Sequence, residues 1–165
     1  MRDRTKKLVG LSALIAVAMI LSYIESMIPP LVAVPGAKIG LSNIATVFAL
    51  YTLGAKEAIS VSLVRIVLSA LLFGNTVSLF YSIMGALLAL LFMTVFYKLG
   101  IFSSVGVSVL GGVAHNAGQI MAASIIMETS ALAVYIAPLA IFGTIAGVLV
   151  GISAGILVSR VGKYI

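Results

Sequence analysis

Six long apolar runs, separated by short breaks rich in glycine, proline or polar residues, constrain this chain more than any other feature. An apolar run of about 20 residues is long enough to cross the hydrocarbon core of a membrane as a helix. The chain is 62% hydrophobic and only 8% charged, which is too few charges to cover a soluble domain. The sequence therefore predicts an all-α membrane protein, a compact bundle of six transmembrane helices that forms a single domain over residues 1–165.

The predicted helices cover about residues 8–28, 39–53, 58–73, 77–97, 103–127 and 131–158. Helices 2 and 3 are short, and at ~1.5 Å per residue they reach about 22–24 Å. They are expected to pack inside the bundle or beside an aqueous cavity, or else to form one re-entrant hairpin. Pro138 is expected to kink helix 6. The first run follows a basic segment like a signal peptide, but it is too long and lacks a cleavage site, so we expect a retained helix.

The positive charges predict that both termini are cytoplasmic. Cytoplasmic loops of membrane proteins carry an excess of lysine and arginine. With the N-terminus inside, Lys38 is the only loop cation that faces outward. The other loop cations then lie on the cytoplasmic side: Arg2, Arg4, Lys6, Lys7, Lys56, Lys98, Arg160 and Lys163. This bias accounts for the net charge of +6 without a nucleic-acid partner, and it predicts a multi-pass protein of the cell (plasma) membrane.

A few strongly polar side chains interrupt the predicted helices. On helix 5, His115 and Gln119 are four residues apart and share one face, with Asn116 beside them. Such groups are costly in hydrocarbon unless a partner or a water-filled cavity satisfies them. Their estimated depths descend from the outer surface towards the middle, which predicts an outward-opening cavity. The predicted substrate-binding residues are Glu25, Lys38, Asn43, Arg65, His115, Asn116 and Gln119.

Each of these residues also has a structural interpretation. Arg65 could form an ion pair with Glu25, and His115 could be a hydrogen-bonding contact between helices. Asn43 could be structural, and Lys38 could anchor the chain at the membrane interface. If they do line a cavity, its charge is neutral to positive, which favours a ligand with a carboxylate or phosphate group. The apolar surroundings favour an amphipathic small molecule.

The sequence offers no catalytic or metal-binding constellation. Its carboxylates, Asp3, Glu25, Glu57 and Glu128, are scattered, so they cannot form the cluster that Mg²⁺-dependent chemistry requires. One histidine and no cysteine argue against zinc. The chain also lacks a phosphate-binding G-x-x-x-x-G-K-[ST] loop. No catalysis and no directly bound cofactor are therefore expected.

Small residues form two stripes that predict close helix packing. Helix 6 carries a glycine at every fourth position: Gly143, Gly147, Gly151 and Gly155. Small residues at this spacing allow helices to approach closely in lipid. Packing within the bundle is the favoured interpretation of the glycine stripe. A second small stripe, on helix 1, could also bind another membrane protein.

Four segments resemble the Gx transporter family, which is widely labelled heptaprenyl diphosphate synthase component I. They are residues 21–30 (LSYIESMIPP), 35–44 (PGAKIGLSNI), Val64-Arg65 and 114–119 (AHNAGQ). The size and six-helix layout are similar to those of the substrate-binding S components of energy-coupling-factor (ECF) transporters. The resemblance implies that the chain binds a scarce nutrient from outside, under a lid formed by the loop between helices 1 and 2.

The resemblance also implies partners. A membrane coupling subunit and a pair of ATPases would drive release of the substrate, so ATP would be used by the partners. The docking surface would lie on helix 1, in the register Ser12/Ala16 or Ala18/Ser22. Two other functions stay open: a non-catalytic membrane accessory subunit of a heptaprenyl (polyprenyl) diphosphate synthase, and a membrane component of a flavin- or quinone-linked redox system.

Overall fold

The computed structural model describes residues 2–28 and 40–164, with side chains from Arg4 to Lys163. Within these ranges the chain is helical apart from short connections and contains no strand. Two short 3-10 helices, Ala131–Tyr135 and Gly162–Tyr164, flank the last α-helix. The α-helices are α1 (Arg2–Met27), α2 (Asn43–Thr52), α3 (Ala55–Phe73), α4 (Thr76–Leu99), α5 (Ser104–Ile126) and α6 (Ile136–Val161). The prediction of an all-α membrane bundle with six helices is confirmed.

Four of the described helices are long and apolar enough to cross a membrane: α1, α4, α5 and α6. Many of their large apolar side chains are exposed, including Leu91 on α4 and Ile141 on α6. In a soluble protein such surfaces would drive aggregation. In a bilayer they face lipid, so the chain is a multi-pass membrane protein.

Helices α2 and α3 differ in length from the prediction. The second helix has only 10 residues and reaches ~15 Å, and residues 45–50 within it are all buried. Its predicted position inside the bundle is confirmed. The third helix has 19 residues and reaches ~28 Å, so the prediction of a short helix 3 was wrong.

The polar residues at the start of α3 explain that error. Residues 55–57 were assigned to the connection, but they form the first turn of α3. Only Leu53 and Gly54 separate the two helices, and Gly54 has a φ of 109° that favours glycine. Glu57 lies in the first turn, where an acidic side chain is favourable, and it forms a 2.5 Å salt bridge with Lys7 of α1.

Pro138 does not interrupt a helix as expected. It is the third residue of α6, after a 3-10 helix ends at Tyr135. Proline is tolerated in the first turn, because the backbone N–H groups there have no partner within the helix. The residue therefore marks the start of α6 rather than a kink within it.

The glycine stripe of α6 packs against α5, as the favoured interpretation predicted. A Cβ atom added at Gly147 would lie 2.5 Å from the Cα of Val109, and one at Gly151 would lie 2.5 Å from the Cα of Val105. These distances leave no room for a side chain. On the other face of α5, a Cβ at Gly118 would lie 2.6 Å from the carbonyl oxygen of Met84 in α4. Helix α5 is thus held at backbone distance by both neighbours.

Helix α2 lies at the centre of the described bundle. It contacts α1, α3, α5 and α6, and its Leu50 and Val47 are almost completely buried. They belong to one core cluster with Val61 of α3 and Val107 of α5. The start of α2 faces the space where the polar side chains of the other helices meet.

Candidate functional site

A cavity lies inside the bundle, between α2 and α3 on one side and α4, α5 and α6 on the other. Its volume is about 60 Å³ when counted as room for the centres of water molecules, which is space for several waters or a few ligand atoms. Six of the seven predicted substrate-binding residues line it: Glu25, Asn43, Arg65, His115, Asn116 and Gln119. The seventh, Lys38, lies outside the described residues.

Arg65 extends from the middle of α3 into this cavity. Its Nη1 donates a hydrogen bond of 2.8 Å to the hydroxyl oxygen of Ser42, just before α2. Its Nε is buried and has no hydrogen-bond partner within the described parts of the chain. Ser62, one turn earlier on α3, lines the same cavity. A buried guanidinium with an unused donor is suited to binding an anionic or otherwise oxygen-bearing group.

Glu25 also holds the turn before α2. A side-chain oxygen of this α1 residue accepts a hydrogen bond from the backbone N–H of Gly40. Glu25 attracts Arg65 electrostatically, yet no salt bridge joins these two described side chains. The predicted alternative of a direct ion pair is therefore not observed. Each charged group binds the turn at Gly40–Ser42 instead.

The three polar residues of α5 have different surroundings. The side-chain amide of Asn116 donates a 2.8 Å hydrogen bond to the carbonyl oxygen of Leu139 in α6, and both residues are buried. The ring of His115 lies against α4, where a Cβ at Gly85 would be 2.9 Å from its Cε1. Both residues thus join helices as well as line the cavity.

Gln119, the third of these α5 residues, has an unused polar atom. Only 4% of the residue is exposed, and its side-chain oxygen has no hydrogen-bond partner among the residues described. Burying an acceptor without a partner costs about 1–3 kcal/mol. A ligand that donates to this oxygen would remove the cost.

Several hydroxyl groups of the site were not singled out from the sequence. Thr46 and Ser108 line the cavity, and in the described structure their buried hydroxyl oxygens have no hydrogen-bond partner. Ser42, which holds Arg65, lines it too. A signal for Ser108 existed, because it lies seven residues before His115 and thus on the same face of the helix. Serine and threonine are common in membrane helices, so the hydroxyls alone do not stand out.

The described lining combines one cation, one anion and several neutral polar groups with apolar surface. The apolar lining residues include Val47, Leu90, Met93 and Val150. Among the residues described, no three histidine, cysteine, aspartate or glutamate side chains form a group that could hold a metal ion. The arrangement can hold a small polar ligand through hydrogen bonds and cover an apolar part of it.

The predicted docking residues of α1 fall on two different faces. Ser12 and Ala16 are exposed, whereas Ala18 is completely buried and Ser22 is 8% exposed. The register Ala18/Ser22 was therefore wrong for a docking surface, because these side chains face the bundle. Of these four residues, Ser12 and Ala16 are accessible to a partner.

Comparisons with known proteins agree with this architecture. The family model described as heptaprenyl diphosphate synthase component I matches residues 14–157. Among curated proteins, none matches the chain significantly. The fold is similar to a solved structure of the S component of a bacterial ECF transporter, with a TM-score of 0.73 and 20% sequence identity over 98% of each chain. At this identity, the similarity establishes the fold.

Proposed function

The chain belongs to the family described as heptaprenyl diphosphate synthase component I, and from this premise we propose that it is the substrate-binding subunit of an ECF-type transporter. In this role it takes up a small anionic or amphipathic nutrient across the cell membrane. It acts as a non-catalytic, S-component-like protein. The fold that it shares with an ECF S component supports this proposal.

The observation that carries the proposal is a cavity in whose lining several buried polar atoms lack a hydrogen-bond partner among the described residues. The Nε of Arg65 and the side-chain oxygen of Gln119 are both buried in its lining without a hydrogen bond in the described structure. Charged and strongly polar residues inside a membrane protein mark substrate pathways. Arg65 binds the anionic group of the substrate, and Gln119 accepts a hydrogen bond from it.

Two charged cavity residues are bound to the turn before α2. Arg65 and Glu25 hold Ser42 and Gly40, directly after the segment 29–39. A substrate that binds Arg65 therefore lies beside this turn. With the N- and C-termini in the cytoplasm, as the positive charges favour, this end of the cavity faces outward, and the substrate arrives from outside.

ATP is used by partners in this proposal. The sequence has no phosphate-binding loop, so a membrane coupling subunit and a pair of ATPases supply the energy. The exposed small residues Ser12 and Ala16 of α1 allow a partner helix to approach closely. They form the proposed docking surface.

A second candidate function rests on the family's description, which names a component of a heptaprenyl diphosphate synthase. The chain would then be a non-catalytic membrane accessory subunit. Its few carboxylates are scattered along the sequence and do not supply the cluster needed for Mg²⁺-dependent diphosphate chemistry. The apolar surface of the bundle would bring a soluble catalytic subunit to the membrane.

Two measurements test the proposal. The protein purified in detergent, without ATP, should carry a small anionic or amphipathic molecule that mass spectrometry detects after denaturation. Affinity purification from mild detergent should recover a coupling membrane protein and two ATPases. Recovery of a soluble prenyltransferase that loses activity without this chain would instead support the accessory function and contradict the transporter proposal.

A further inference from the structure

A second cavity lies beside the first, between α1, α3 and α4. Its volume, measured in the same way, is about 80 Å³. Glu25, Arg65 and Ser82 line both cavities, so they form the boundary that the two cavities share. The polar lining of the second cavity is otherwise made of serines, namely Ser22, Ser26, Ser69 and Ser78.

Two atoms in this lining have unused hydrogen-bonding capacity. The hydroxyl of Ser22 and the Nε of Arg65 are buried and have no hydrogen-bond partner in the part of the chain that the structure describes. A serine hydroxyl donates and accepts, whereas the arginine Nε–H only donates. An oxygen atom that accepts from both groups would therefore satisfy this part of the lining.

Two other hydroxyls of this lining, those of Ser69 and Ser26, are only partly used. Ser69 donates to the sulfur of Met19 at 3.5 Å, and a thioether is a weak acceptor. Ser26 donates to the carbonyl oxygen of Tyr23 at 2.7 Å, which leaves its own lone pairs available. The cavity also has an apolar side that includes Ile66 and Phe73. It suits a group rich in oxygen atoms on a carbon framework.

We propose that the second cavity is a subsite for the same substrate, in which a hydroxyl- or carbonyl-bearing part lies among the serines. The guanidinium of Arg65, shared by both cavities, binds the anionic group between the two parts. The inference rests on the proposed function and narrows it to organic anions that carry additional hydroxyl or carbonyl oxygens. A cavity of this size also has room for water, so the alternative is a hydrated space that the substrate never enters.

The test measures how much ligand stays bound when the second cavity is altered. The probe is the molecule that co-purifies with the wild-type protein in detergent, quantified by mass spectrometry per mole of protein. Ser22→Leu places a larger apolar side chain in the cavity, and Ser22→Ala removes only the hydroxyl. Ser159→Leu is the matched control, because Ser159 is exposed in the last turn of α6.

Ser22→Leu should lower ligand retention at least about tenfold, and Ser22→Ala about fivefold, as expected for the loss of one hydrogen bond. Ser159→Leu should retain ligand like the wild type.

Wild-type retention in both Ser22 variants would overturn the subsite and leave the transporter proposal intact. A bound ligand without additional oxygens would do the same. If the wild type carries no ligand, the proposed function and the subsite both fail. If Ser22→Leu does not fold, the smaller Ser22→Ala change decides.

Discussion

The two walls of the main cavity are built in different ways. The packed wall, formed by α4, α5 and α6, is held by backbone contact at glycines such as Gly147 and Gly118. The polar wall, formed by α1, α2 and α3, is held at the cavity by two hydrogen bonds at the turn before α2. Glu25 accepts one from the backbone N–H of Gly40, and Arg65 donates the other to Ser42.

This difference separates folding from binding. On the packed wall, an added methyl group meets backbone atoms that cannot move aside. On the polar wall, the charged groups still have unused hydrogen-bonding capacity, as the Nε of Arg65 shows. Substitutions of the packed glycines should therefore lower stability, and substitutions of the charged cavity residues in the polar wall should mainly lower ligand affinity. The predictions below test that separation.

The largest effect is expected at the α5–α6 contact. In Gly147→Ala the new Cβ would lie 2.5 Å from the Cα of Val109, so the two helices must separate. Overpacking against rigid neighbours costs roughly 3 kcal/mol, which thermal unfolding in detergent should reveal as a lower midpoint. Ile145→Ala, on the exposed side of α6, should leave the midpoint nearly unchanged. Equal midpoints for Gly147→Ala and the wild type would contradict the close packing of this wall.

The next effect concerns Arg65 and the ligand. Arg65→Gln should lower the amount of co-purified ligand about 100-fold, equivalent to ~2.7 kcal/mol, because the anionic group loses its charged partner. The folded fraction, followed by size-exclusion chromatography, should stay high.

Ser42→Ala is the matched control for Arg65→Gln. It removes the same 2.8 Å bond between Arg65 and Ser42 but keeps the cation in the cavity. Ligand retention in this variant should stay within a few-fold of the wild type. If Ser42→Ala loses as much ligand as Arg65→Gln, then Arg65 acts by holding the turn before α2 and not by binding the substrate.

A smaller effect is expected at Asn116. Asn116→Ala removes the 2.8 Å hydrogen bond to the Leu139 carbonyl, and interhelical hydrogen bonds in membranes contribute about 0.6–1.7 kcal/mol. Unfolding should occur at a modestly lower temperature, with ligand retention close to that of the wild type. Loss of ligand at unchanged stability would instead place Asn116 among the substrate contacts, where the sequence had put it.

The smallest effect is expected at the salt bridge between Lys7 and Glu57. The Lys7 side chain is about half exposed, with a relative accessibility of 52%, and exposed ion pairs contribute about 0.2–1 kcal/mol. Lys7→Gln should therefore shift the unfolding midpoint only slightly, and less so at high salt. A loss of stability as large as that of Gly147→Ala would show that this contact, too, determines the fold.

The existence of the helices could be predicted because apolar runs of this length are typical of helices in a membrane. The ends of the helices depend on local contacts. Lys56 and Glu57 are polar and were assigned to a loop, yet they belong to the first turn of α3, where Glu57 forms a salt bridge with Lys7. Which small residues face the bundle and which face outward depends on the tertiary contacts between helices. Nothing in the sequence shows that Ala18 is completely buried while Ala16 is exposed.

The cavity residues could be predicted because strongly polar side chains inside membrane helices are rare. Their partners could not be predicted. Arg65 binds Ser42, which is 23 residues away, although Glu25 carries the opposite charge that sequence reasoning would choose. Which groups remain unpartnered, such as the side-chain oxygen of Gln119, depends on how the helices pack.

An experimental structure of the protein with its co-purifying molecule tests the central claim most directly. The substrate-binding proposal predicts density in the main cavity, with an anionic group within hydrogen-bonding distance of the Arg65 guanidinium and a donor near the side-chain oxygen of Gln119. An empty cavity, or a ligand bound elsewhere on the bundle while Arg65 pairs directly with Glu25, would contradict it.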